Sequence, residues 1–531
     1  MTSSNVPTLA LLDDYLALYA SNRPKKIALS CPDFDCSYAQ LQEMVSVYAS
    51  AIETAGVTSG DVVAVLGNSR PECLVIFLAC CRIGAIFLGL NPKYTARELS
   101  FVLSDSRPRL LFGMYGPDEP EQADKLRTLV SDLGATATVV LRTGARAGES
   151  ISLQELLLGA SASAGEVNRP ANPEDACAIV YTSGSTGVPK GALLCQRGMI
   201  RSSLLTWEYW YGAPSDLRTV AQHPINHVGW LVCECATTLV AGGTLFLRER
   251  FDGPSTLRLI ERERLNVWLA FPSMVILAVQ SPEFETCDLS SLERLAFGMS
   301  PSLELLIRLR TRSEAVFSVS YGLTEAHGGA ITVTDADADL ETVADTIGRP
   351  LPGIEVRVID ENGLDIPTGS PGELLIRDTC LFLGYLNRPD ATVETLDSEG
   401  WLHTDDVVAQ DENGLLRFVA RKKDMFKSGG YNVYPTEIEI VIGAHELVRH
   451  VAVVESPDPL WEEVGVAFVV LSEEDSLGSA QLVEYLRPHL ANYKIPKRFV
   501  FVTSLPQLPN GKVDKVGLRE RAKSSIEETG V

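Results

Sequence analysis

The stretch from Tyr181 to Gly191 decides how this chain is interpreted. It reads Tyr-Thr-Ser-Gly-Ser-Thr-Gly-Val-Pro-Lys-Gly and follows the apolar pair Ile179–Val180. Glycines let a backbone turn its N–H groups inward, hydroxyls donate to oxygens, and a lysine adds a mobile positive charge. We therefore predict a loop that holds phosphate at a strand end, where α/β folds bind ligands. The residues assigned to this cradle are Thr182, Ser183, Gly184, Ser185, Thr186, Gly187 and Lys190.

The spacing of the loop is not that of a Walker motif. Two residues separate Gly187 from Lys190, whereas the Walker pattern has Gly-Lys followed by Ser or Thr. A flexible Ser/Gly linker is the alternative interpretation. It is disfavoured because a linker does not need a strand, glycines, hydroxyls and a lysine together.

Around this loop, short β-rich runs alternate with helical patterns. Val62–Leu66 and the helical pattern Tyr38–Glu53 are examples, and such alternation predicts an α/β fold with a mainly parallel sheet. From Gly353 onward the pattern changes to short strands and turns, which predicts a small barrel or an antiparallel sheet. A charged run, Arg421–Asp424, leads into a smaller α+β pattern. We place a domain boundary there, with an N-terminal domain at 1–420 and a C-terminal domain at 421–531.

Composition and charge narrow the partners. The chain has 531 residues, and 46 Lys and Arg against 69 Asp and Glu give a formal net charge of −23. This balance argues against nucleic-acid binding, although local N–H groups and a metal can still hold a nucleotide. Small molecules are the expected partners.

Cysteine usage and apolar segments indicate the compartment. The 11 cysteines are scattered and odd in number, which fits a reducing cytosol, and we interpret Cys233 and Cys235 as core thiols. The start, Met1–Ala20, lacks the basic region of a secretory signal. The most apolar stretch, Leu74–Leu90, is shorter than a membrane span and contains Arg82, so it predicts buried structure. We expect a cytoplasmic protein with no transmembrane segment.

At the Ser/Thr/Gly loop the sequence closely resembles the adenylate-forming (ANL) superfamily, in the acid–thiol ligase branch that contains acyl-CoA synthetases. Further motifs follow in the family's order over nearly the whole chain. The resemblance implies a large N-terminal domain of two α/β/α subdomains plus a small β-barrel, and a smaller, mobile α+β C-terminal domain. The segments that carry it are Asn91–Leu99, Tyr181–Gly191, Tyr321–Glu325, Gly400–Asp406, Arg421–Asp424, Lys427–Glu437 and Pro506–Lys512.

The resemblance implies the nucleotide-binding roles. Tyr321 would stack on adenine, Thr324 would contact the α-phosphate, and Glu325 would bind Mg²⁺. Asp406 would accept both ribose hydroxyls, and Arg421 would contact the nucleotide. Without the family, a Tyr-Gly pair that ends a strand is usually a turn, and consecutive aspartates usually form a solvated one.

The resemblance also implies the mobile and catalytic elements. Lys512, in a Pro-x4-Gly-Lys ending, would bind the substrate carboxylate and the α-phosphate during adenylation. Lys423 would be the hinge, and Gly430 would line the tunnel of the thiol. One departure is Asp405, which stands where the family has glycine and adds a carboxylate and a less permissive backbone beside the ribose.

His227 matches the histidine of the family's acyl-site motif, and the aromatic residue that commonly precedes it is Asn226 here. Amino-acid-activating relatives have an aspartate shortly after this motif; its absence favours an acid without an ammonium group. Apolar or small residues predict an apolar pocket in which glycines leave room for a bulky or ring-bearing acid, or which Trp230 caps short. The pocket residues assigned in this way are Val228, Gly229, Trp230, Gly298, Met299, Ser300, Ala326 and Gly328.

The expected activity is ATP- and Mg²⁺-dependent conversion of a carboxylic acid to acyl-AMP, followed by transfer to the thiol of coenzyme A. Three alternatives stay open: a ligase that loads the phosphopantetheine arm of a carrier protein, a luciferase-like oxygenase, and a nucleotide-binding scaffold that has lost the reaction. The acid itself, a homodimer and a carrier-protein partner are likewise left open by the sequence.

Overall fold

The structure is a computed structural model of the chain. It describes residues 6–115, 126, 128, 138–141, 151–161, 171–182, 189–428, 431–458, 461–472, 477–507 and 513–527. These residues form two compact units. The first takes in the described residues up to 182, 189–355 and 377–402, and the second takes in 356–376 and those from 403 onward.

The first unit contains two large, mainly parallel sheets. In the nine-stranded sheet of the described residues, the antiparallel pairings lie at the two edges, and the five pairings between them are parallel. Its strands are, in order, Arg349–Pro350, Thr332–Val333, Val316–Tyr321, Arg294–Phe297, Val267–Ala270, Arg218–Ala221, Thr244–Leu247, Ile27–Cys31 and Phe34–Ser37.

The eight-stranded sheet of the described residues is parallel except at one edge, where three successive strands are antiparallel. Its central strands are fully buried and apolar, as expected for a parallel sheet covered on both faces. Its strands are, in order, Gly384–Tyr385, Lys190–Cys195, Ala176–Thr182, Ile86–Leu90, Val62–Leu66, Leu110–Gly113, Thr138–Leu141 and Ile151–Ser152.

Helices of the first unit begin and end where the sequence supplies caps. The hydroxyl of Ser37 accepts the backbone N–H of Gln40 at 3.3 Å, and this capping box starts the helix Tyr38–Thr54. The described α-helices of this unit are Leu12–Asn22, Tyr38–Thr54, Pro71–Ile83, Ala96–Ser106, Leu153–Ser161, Gln196–Leu205, Thr237–Ala241, Gly253–Glu263, Pro272–Val279, Glu283–Thr286, Leu303–Arg310, Leu340–Asp345 and Pro389–Thr395. Two π-helical segments, Thr206–Trp210 and Gly229–Ala236, and one 3₁₀ turn, Thr324–Ala326, complete it.

The apolar stretch Leu74–Leu90 is buried, as predicted, and consists of two elements. The helix Pro71–Ile83 ends at Gly84, whose φ of +73° glycine adopts without strain, and the strand Ile86–Leu90 follows. Within the described residues, no helix combines the length and the apolarity needed to cross a bilayer.

The second unit is α+β. A four-stranded sheet is formed by Glu355–Ile359, Pro371–Arg377, Leu402–Gln410 and Leu416–Arg421. A five-stranded sheet is formed by Tyr431–Val433, Phe426–Ser428, Glu462–Leu471, Val448–Asp458 and Arg498–Phe501. Its described helices are Pro435–Gly443, Ser479–Leu486 and Lys515–Glu527, with a 3₁₀ turn at Lys422–Asp424.

The packing groups the short strands of 356–376 and 403–420 with the C-terminal part of the chain, whereas the sequence placed them at the close of the large domain. The strands of this sheet pair with one another, and Leu416–Arg421 packs against the helix Pro435–Gly443, a contact that local pattern does not record. The functional boundary at residue 421 stays a prediction.

Candidate active site

Four parallel strands of the nine-stranded sheet end at one edge: Arg218–Ala221, Val267–Ala270, Arg294–Phe297 and Val316–Tyr321. The carboxyl ends of parallel strands are where α/β folds bind ligands. Several residues predicted for the acid and the nucleotide follow these ends. The first residues after the four strands are Gln222, Phe271, Gly298 and Gly322.

Aromatic rings cluster at this edge around Phe271. The rings of His227 and Phe271 meet edge-on with centroids 5.9 Å apart, and His223 meets Phe271 in the same way at 4.8 Å. A Cβ on Gly298 would lie 3.0 Å from Phe271 Cε1, so this glycine lets the ring approach. Phe271 was not predicted from the sequence, although its place directly after a strand was a signal that could have found it.

The predicted acyl-site histidine is held by its own turn. His227 Nδ1 accepts the backbone N–H of Gly229 at 2.9 Å, so a neutral ring carries its proton on Nε2. A Cβ on Gly229 would lie 2.9 Å from the same Nδ1. The close turn between these two residues therefore needs glycine.

A buried carboxylate lies nearby but is already engaged. Glu234 accepts from His223 Nδ1 at 2.6 Å and from the backbone N–H groups of Gln222 and His223, and its side chain is 0% exposed. Because these donors occupy it, Glu234 is not offered to a substrate ammonium. This supports the predicted preference for an acid without an amino group.

The predicted room for a bulky acid does not come from Gly229 or Gly328. A Cβ on Gly328, whose φ is +64°, would lie 2.4 Å from Val228 Cγ1. The space beside each glycine is thus filled by the protein's own side chains. These glycines permit close packing between segments rather than an enlarged pocket.

The other predicted pocket residues separate into buried and exposed positions. Trp230 is fully buried, its Nε1 donates to Ser69 Oγ at 2.8 Å, and its ring stacks on Phe87, so it is a core residue. Ala326 is also fully buried. Met299, 58% exposed, and Ser300 lie on the surface after the strand Arg294–Phe297.

The predicted phosphate loop lies between two antiparallel strands in the sequence. Thr182 and Lys190 are cross-strand partners in this hairpin, and Thr182 Oγ1 donates to the carbonyl of Lys190 at 3.4 Å. The hairpin fixes both ends of the loop against each other. The predicted cradle residues between them, Ser183, Gly184, Ser185, Thr186 and Gly187, lie outside the described residues.

Lys190, at the end of this loop, and Glu325 both contact the side chain of Tyr385. Tyr385 donates its hydroxyl to Glu325 Oε1 at 2.6 Å, and Lys190 Nζ lies 5.1 Å from the centroid of its ring. Thr324 and Glu325 stand side by side in the 3₁₀ turn that follows Tyr321, as predicted. Tyr385 was missed by sequence analysis, because its partners are far away in the chain.

A buried histidine fastens this turn. His327 Nε2 accepts the backbone N–H of Cys195 at 3.0 Å, and its Nδ1 contacts the carbonyl of Cys380 at 2.6 Å, so the proton is on Nδ1. Burial lowers the pKa of His327 to about 4, which keeps the ring neutral. His327 is therefore a structural residue.

In the second unit, the predicted ribose and nucleotide residues are neighbours. Arg421 Nε lies 3.0 Å from Asp406 Oδ1 across two paired strands, and Asp406 is 2% exposed while Arg421 is 58% exposed. Asp405, which stands where the family has glycine, has φ +59°, so a residue with a Cβ occupies a left-handed position. Lys422 forms an ion pair at 2.6 Å with Glu373, a buried residue that the sequence analysis missed.

The remaining predicted elements are only partly described. Lys423 lies in the 3₁₀ turn Lys422–Asp424, a short irregular segment between two strands. Gly430 and Lys512 lie outside the described residues. Their roles stay predictions.

The residues present fit a nucleotide and Mg²⁺. Glu325 is partly exposed, forms no ion pair among the described residues, and has one oxygen engaged by Tyr385, which leaves the other for a hard cation. Asp406 presents a carboxylate whose two oxygens match a vicinal diol. Buried thiols play no part in either site: Cys233 and Cys235 are core residues, and Cys233 Sγ donates to the carbonyl of Gly328.

Family models cover both parts of the chain. Residues 16–386 match the AMP-binding enzyme model, and residues 437–512 match the model of the AMP-binding enzyme C-terminal domain. The chain belongs to the AMP-binding enzyme family. The resemblance to the adenylate-forming superfamily is thereby confirmed, and so is a mixed α/β fold with a large N-terminal and a smaller C-terminal part.

Individual relatives extend over the whole chain. An indoleacetate–CoA ligase of Aromatoleum aromaticum is 34% identical over 98% of this chain and 100% of its own length. A feruloyl-CoA synthase of an Amycolatopsis species is 34% identical over 91% of this chain and 94% of its own. The crystal structure of ATP-bound MatB from Rhodopseudomonas palustris superposes with a TM-score of 0.87 at 29% identity, covering 98% of this chain and 100% of that one.

Proposed function

We propose that this protein is an AMP-forming acid–thiol ligase that activates an aryl or fatty carboxylic acid with ATP and Mg²⁺ and transfers it to coenzyme A. The observation that carries the proposal is the cluster of Lys190, Tyr385 and Glu325 beside the ends of the Ser/Thr/Gly loop. A lysine, a carboxylate with one oxygen left for a cation, and a hydroxyl-rich loop are the groups that a triphosphate needs.

In the first half-reaction, the substrate carboxylate attacks the α-phosphorus of ATP in line, an O–P bond forms, and pyrophosphate leaves. A free carboxylate needs this step because it is anionic and has no good leaving group. Lys190 and Lys512 screen the repulsion between the two anions, and Thr324 contacts the α-phosphate. Glu325 would hold Mg²⁺, which supplies Lewis-acid stabilisation of charge on the phosphate oxygens when bound.

In the second half-reaction, the thiol of coenzyme A attacks the acyl carbonyl and AMP leaves. The proposal follows the family's scheme, in which rotation about Lys423 withdraws the segment that carries Lys512 and brings the segment of Gly430 to the thiol. Asp406 and Arg421 bind the nucleotide through both steps. One site then performs two reactions in turn.

The acid is proposed to be aromatic or fatty for two reasons. The ring of the predicted acyl-site residue His227 meets Phe271 edge-on, and Gly298 leaves room for the Phe271 ring, which gives an aromatic wall. The carboxylate of Glu234 is engaged by His223, so among the described residues of this cluster no unengaged carboxylate is left for an ammonium. Relatives named for indoleacetate and ferulate support the same class.

The test is a pyrophosphate-release assay over a panel of acids, each with and without coenzyme A. The panel contains arylacetic, hydroxycinnamic, medium-chain and long-chain fatty acids, with amino acids as the negative set. We expect ATP- and Mg²⁺-dependent pyrophosphate release with an aryl or fatty acid, and acyl-CoA when the thiol is present. The absence of turnover with every acid would contradict the proposal.

A carrier-protein acceptor gives a different result in the same assay. An acyl-AMP ligase of that kind releases pyrophosphate but forms no acyl-CoA from the free thiol. Intact mass of an added phosphopantetheinylated carrier protein would then rise by the acyl group. We expect the acyl group on coenzyme A instead.

A further inference from the structure

Tyr385 is fixed beside the phosphate loop by backbone pairing. The short strand Gly384–Tyr385 is antiparallel to Lys190–Cys195, with Tyr385 opposite Ala192. The backbone N–H of Leu386 donates to the carbonyl of Gly191 at 2.8 Å. The segment is therefore held to the first residues of the strand that begins at Lys190.

Tyr385 makes two further contacts, one through its backbone and one through its ring. Its backbone N–H donates to Thr392 Oγ1 at 2.9 Å, and its ring meets Phe382 edge-on with centroids 4.9 Å apart. The backbone N–H of Phe382 donates in turn to the carbonyl of Glu325 at 2.8 Å. These contacts give the tyrosine a single placement relative to both Lys190 and Glu325.

The hydroxyl and the ring face make different interactions with the two charged residues. The O–H donates to Glu325 Oε1 at 2.6 Å, a charge-assisted hydrogen bond that fixes the carboxylate and uses one of its oxygens. The ring face receives the ammonium of Lys190 in a cation–π contact at 5.1 Å.

Lys190 and Glu325 form no ion pair with each other or with any other described residue, although both contact the same side chain. A direct Lys–Glu pair would neutralise both groups. Because each contacts Tyr385 and neither is paired with the other, the ammonium keeps its N–H donors for phosphate, and the carboxylate keeps an oxygen for a cation. An unpaired ammonium and an unpaired carboxylate near one tyrosine are what a single ligand with phosphate groups and a bound cation needs.

We propose that Tyr385 is a positioning residue that holds Glu325 and Lys190 apart and presents both to one triphosphate with its Mg²⁺. This inference deepens the proposed function and rests on it. Tyr385 itself does not react. Its hydroxyl acts through Glu325 and its ring acts through Lys190, so the two parts are separable by substitution.

The experiment compares Tyr385→Phe, which removes only the hydroxyl, with Tyr385→Leu, which also removes the ring. Binding of Mn²⁺ in the presence of ATP and absence of acid is measured by electron paramagnetic resonance, and the Mg²⁺ dependence of pyrophosphate release is measured in parallel. We expect the Phe variant to raise the Mn²⁺ Kd and the half-saturating Mg²⁺ concentration about 10-fold, as for loss of a hydrogen bond to a charged group. The KM for the acid should stay unchanged.

The Leu variant should show the same metal defect plus a further rise of about 2- to 5-fold in the Kd for ATP, from the lost cation–π contact. The matched control is Tyr38→Phe, which removes a buried hydroxyl bonded to the carbonyl of Gly243 far along the chain. It should lose thermal stability without a change in either metal constant. This comparison separates positioning from a merely structural role.

Wild-type values of Mn²⁺ Kd and Mg²⁺ half-saturation in Tyr385→Phe would overturn the inference. So would losses in thermal stability alone, matching those of the control. The Mn²⁺ measurement needs no acid turnover, so failure of the proposed ligase activity and failure of this inference give different results. A wild-type protein that binds no Mn²⁺ with ATP would refute both.

Discussion

Arg421 Nε lies 3.0 Å from Asp406 Oδ1, an ion pair between an exposed guanidinium and a carboxylate that is almost fully buried. The pair orients the carboxylate before any ligand arrives. We predict that Asp406→Asn raises the KM for ATP about 10- to 100-fold, because an amide loses the charge that strengthens hydrogen bonds to two ribose hydroxyls.

The matched control for Asp406→Asn is Glu412→Gln, which removes one negative charge at an exposed turn between the same two paired strands. It should leave the KM for ATP unchanged. An equal change in both variants would mean that net charge, not ribose recognition, is being measured. The KM for ATP of each variant is measured from steady-state pyrophosphate release at varied ATP concentration.

Asp405 gives a prediction about stability. Its φ of +59° lies in the left-handed region, which costs a residue with a Cβ about 1 kcal/mol and is tolerated best by Asp, Asn and Gly. Asp405→Ala should therefore lower the free energy of unfolding by about 1 kcal/mol, whereas Asp405→Gly should stay within about 0.5 kcal/mol. Urea denaturation checks this order, with Glu412→Ala as the control at an exposed position in the turn that follows the same strand.

Removing the Asp405 carboxylate should also affect the nucleotide. A second carboxylate beside Asp406 repels a polyanion, so Asp405→Gly should lower the KM for ATP by about 2- to 5-fold at low salt and less at high salt. An unchanged KM at low salt would show that Asp405 does not face the nucleotide.

Lys512 carries the prediction that separates the two half-reactions. Lys512→Ala should reduce adenylation at least about 100-fold, because the ammonium stabilises charge that accumulates at phosphorus. Thioester formation from supplied acyl-AMP should stay within about 3-fold of the wild-type rate, since that step does not use this group. Lys497→Ala, at an exposed lysine of the same unit, is the control. Equal loss in both half-reactions would refute the role of Lys512.

Lys423 is predicted to act through its backbone. Proline fixes φ near −65°, so Lys423→Pro should spare adenylation and impair thioester formation, which needs the hinge to rotate. Lys423→Ala removes the same side chain but leaves φ free, and it should resemble the wild type in both assays. Unchanged thioester rates in the proline variant would count against the hinge.

We predict that the cysteines react slowly with thiol reagents in the native protein. All eleven are free and ten are buried, and burial raises the pKa of the partly exposed Cys31 to about 12. At pH 8 its thiolate fraction should be about a thousandfold below that of an ordinary thiol, because the pKa is about three units higher. Titration with Ellman's reagent should find no fast-reacting thiol in the native protein and eleven in guanidinium. One fast native thiol would contradict this.

Local pattern predicted much of the fold. The strand Val62–Leu66 and the helical pattern Tyr38–Glu53 were expected from alternation and periodicity, and the structure has a strand at Val62–Leu66 and a helix at Tyr38–Thr54. The strand Lys190–Cys195 was not expected, because its pairing with Ala176–Thr182 passes across the loop that dominated the interpretation. The π-helical segment Gly229–Ala236 also has no distinct sequence signal.

The motif residues at the sites were found from sequence, and the residues that position them were not. Tyr385 contacts Glu325 across 60 positions, and Glu373 contacts Lys422 across 49. The sequence around one residue of each pair does not indicate the other residue, since the two come together only through the sheet pairings. Phe271 was visible as the end of a strand, but its contact with His227 depends on the parallel order of four strands.

The pairing of the strand Ile27–Cys31, which lies one strand in from the edge of the nine-stranded sheet, has a consequence for biosynthesis. Its parallel partner is Thr244–Leu247, with Leu29 opposite Leu245. The ribosome therefore synthesises this strand long before it synthesises the partner. At roughly 5–20 residues per second, the ribosome needs on the order of 10–40 seconds to supply that partner. During this interval Ile27–Cys31 can pair only with Phe34–Ser37, so its other edge stays open to other chains, and chaperone protection on the ribosome should raise the yield of folded enzyme.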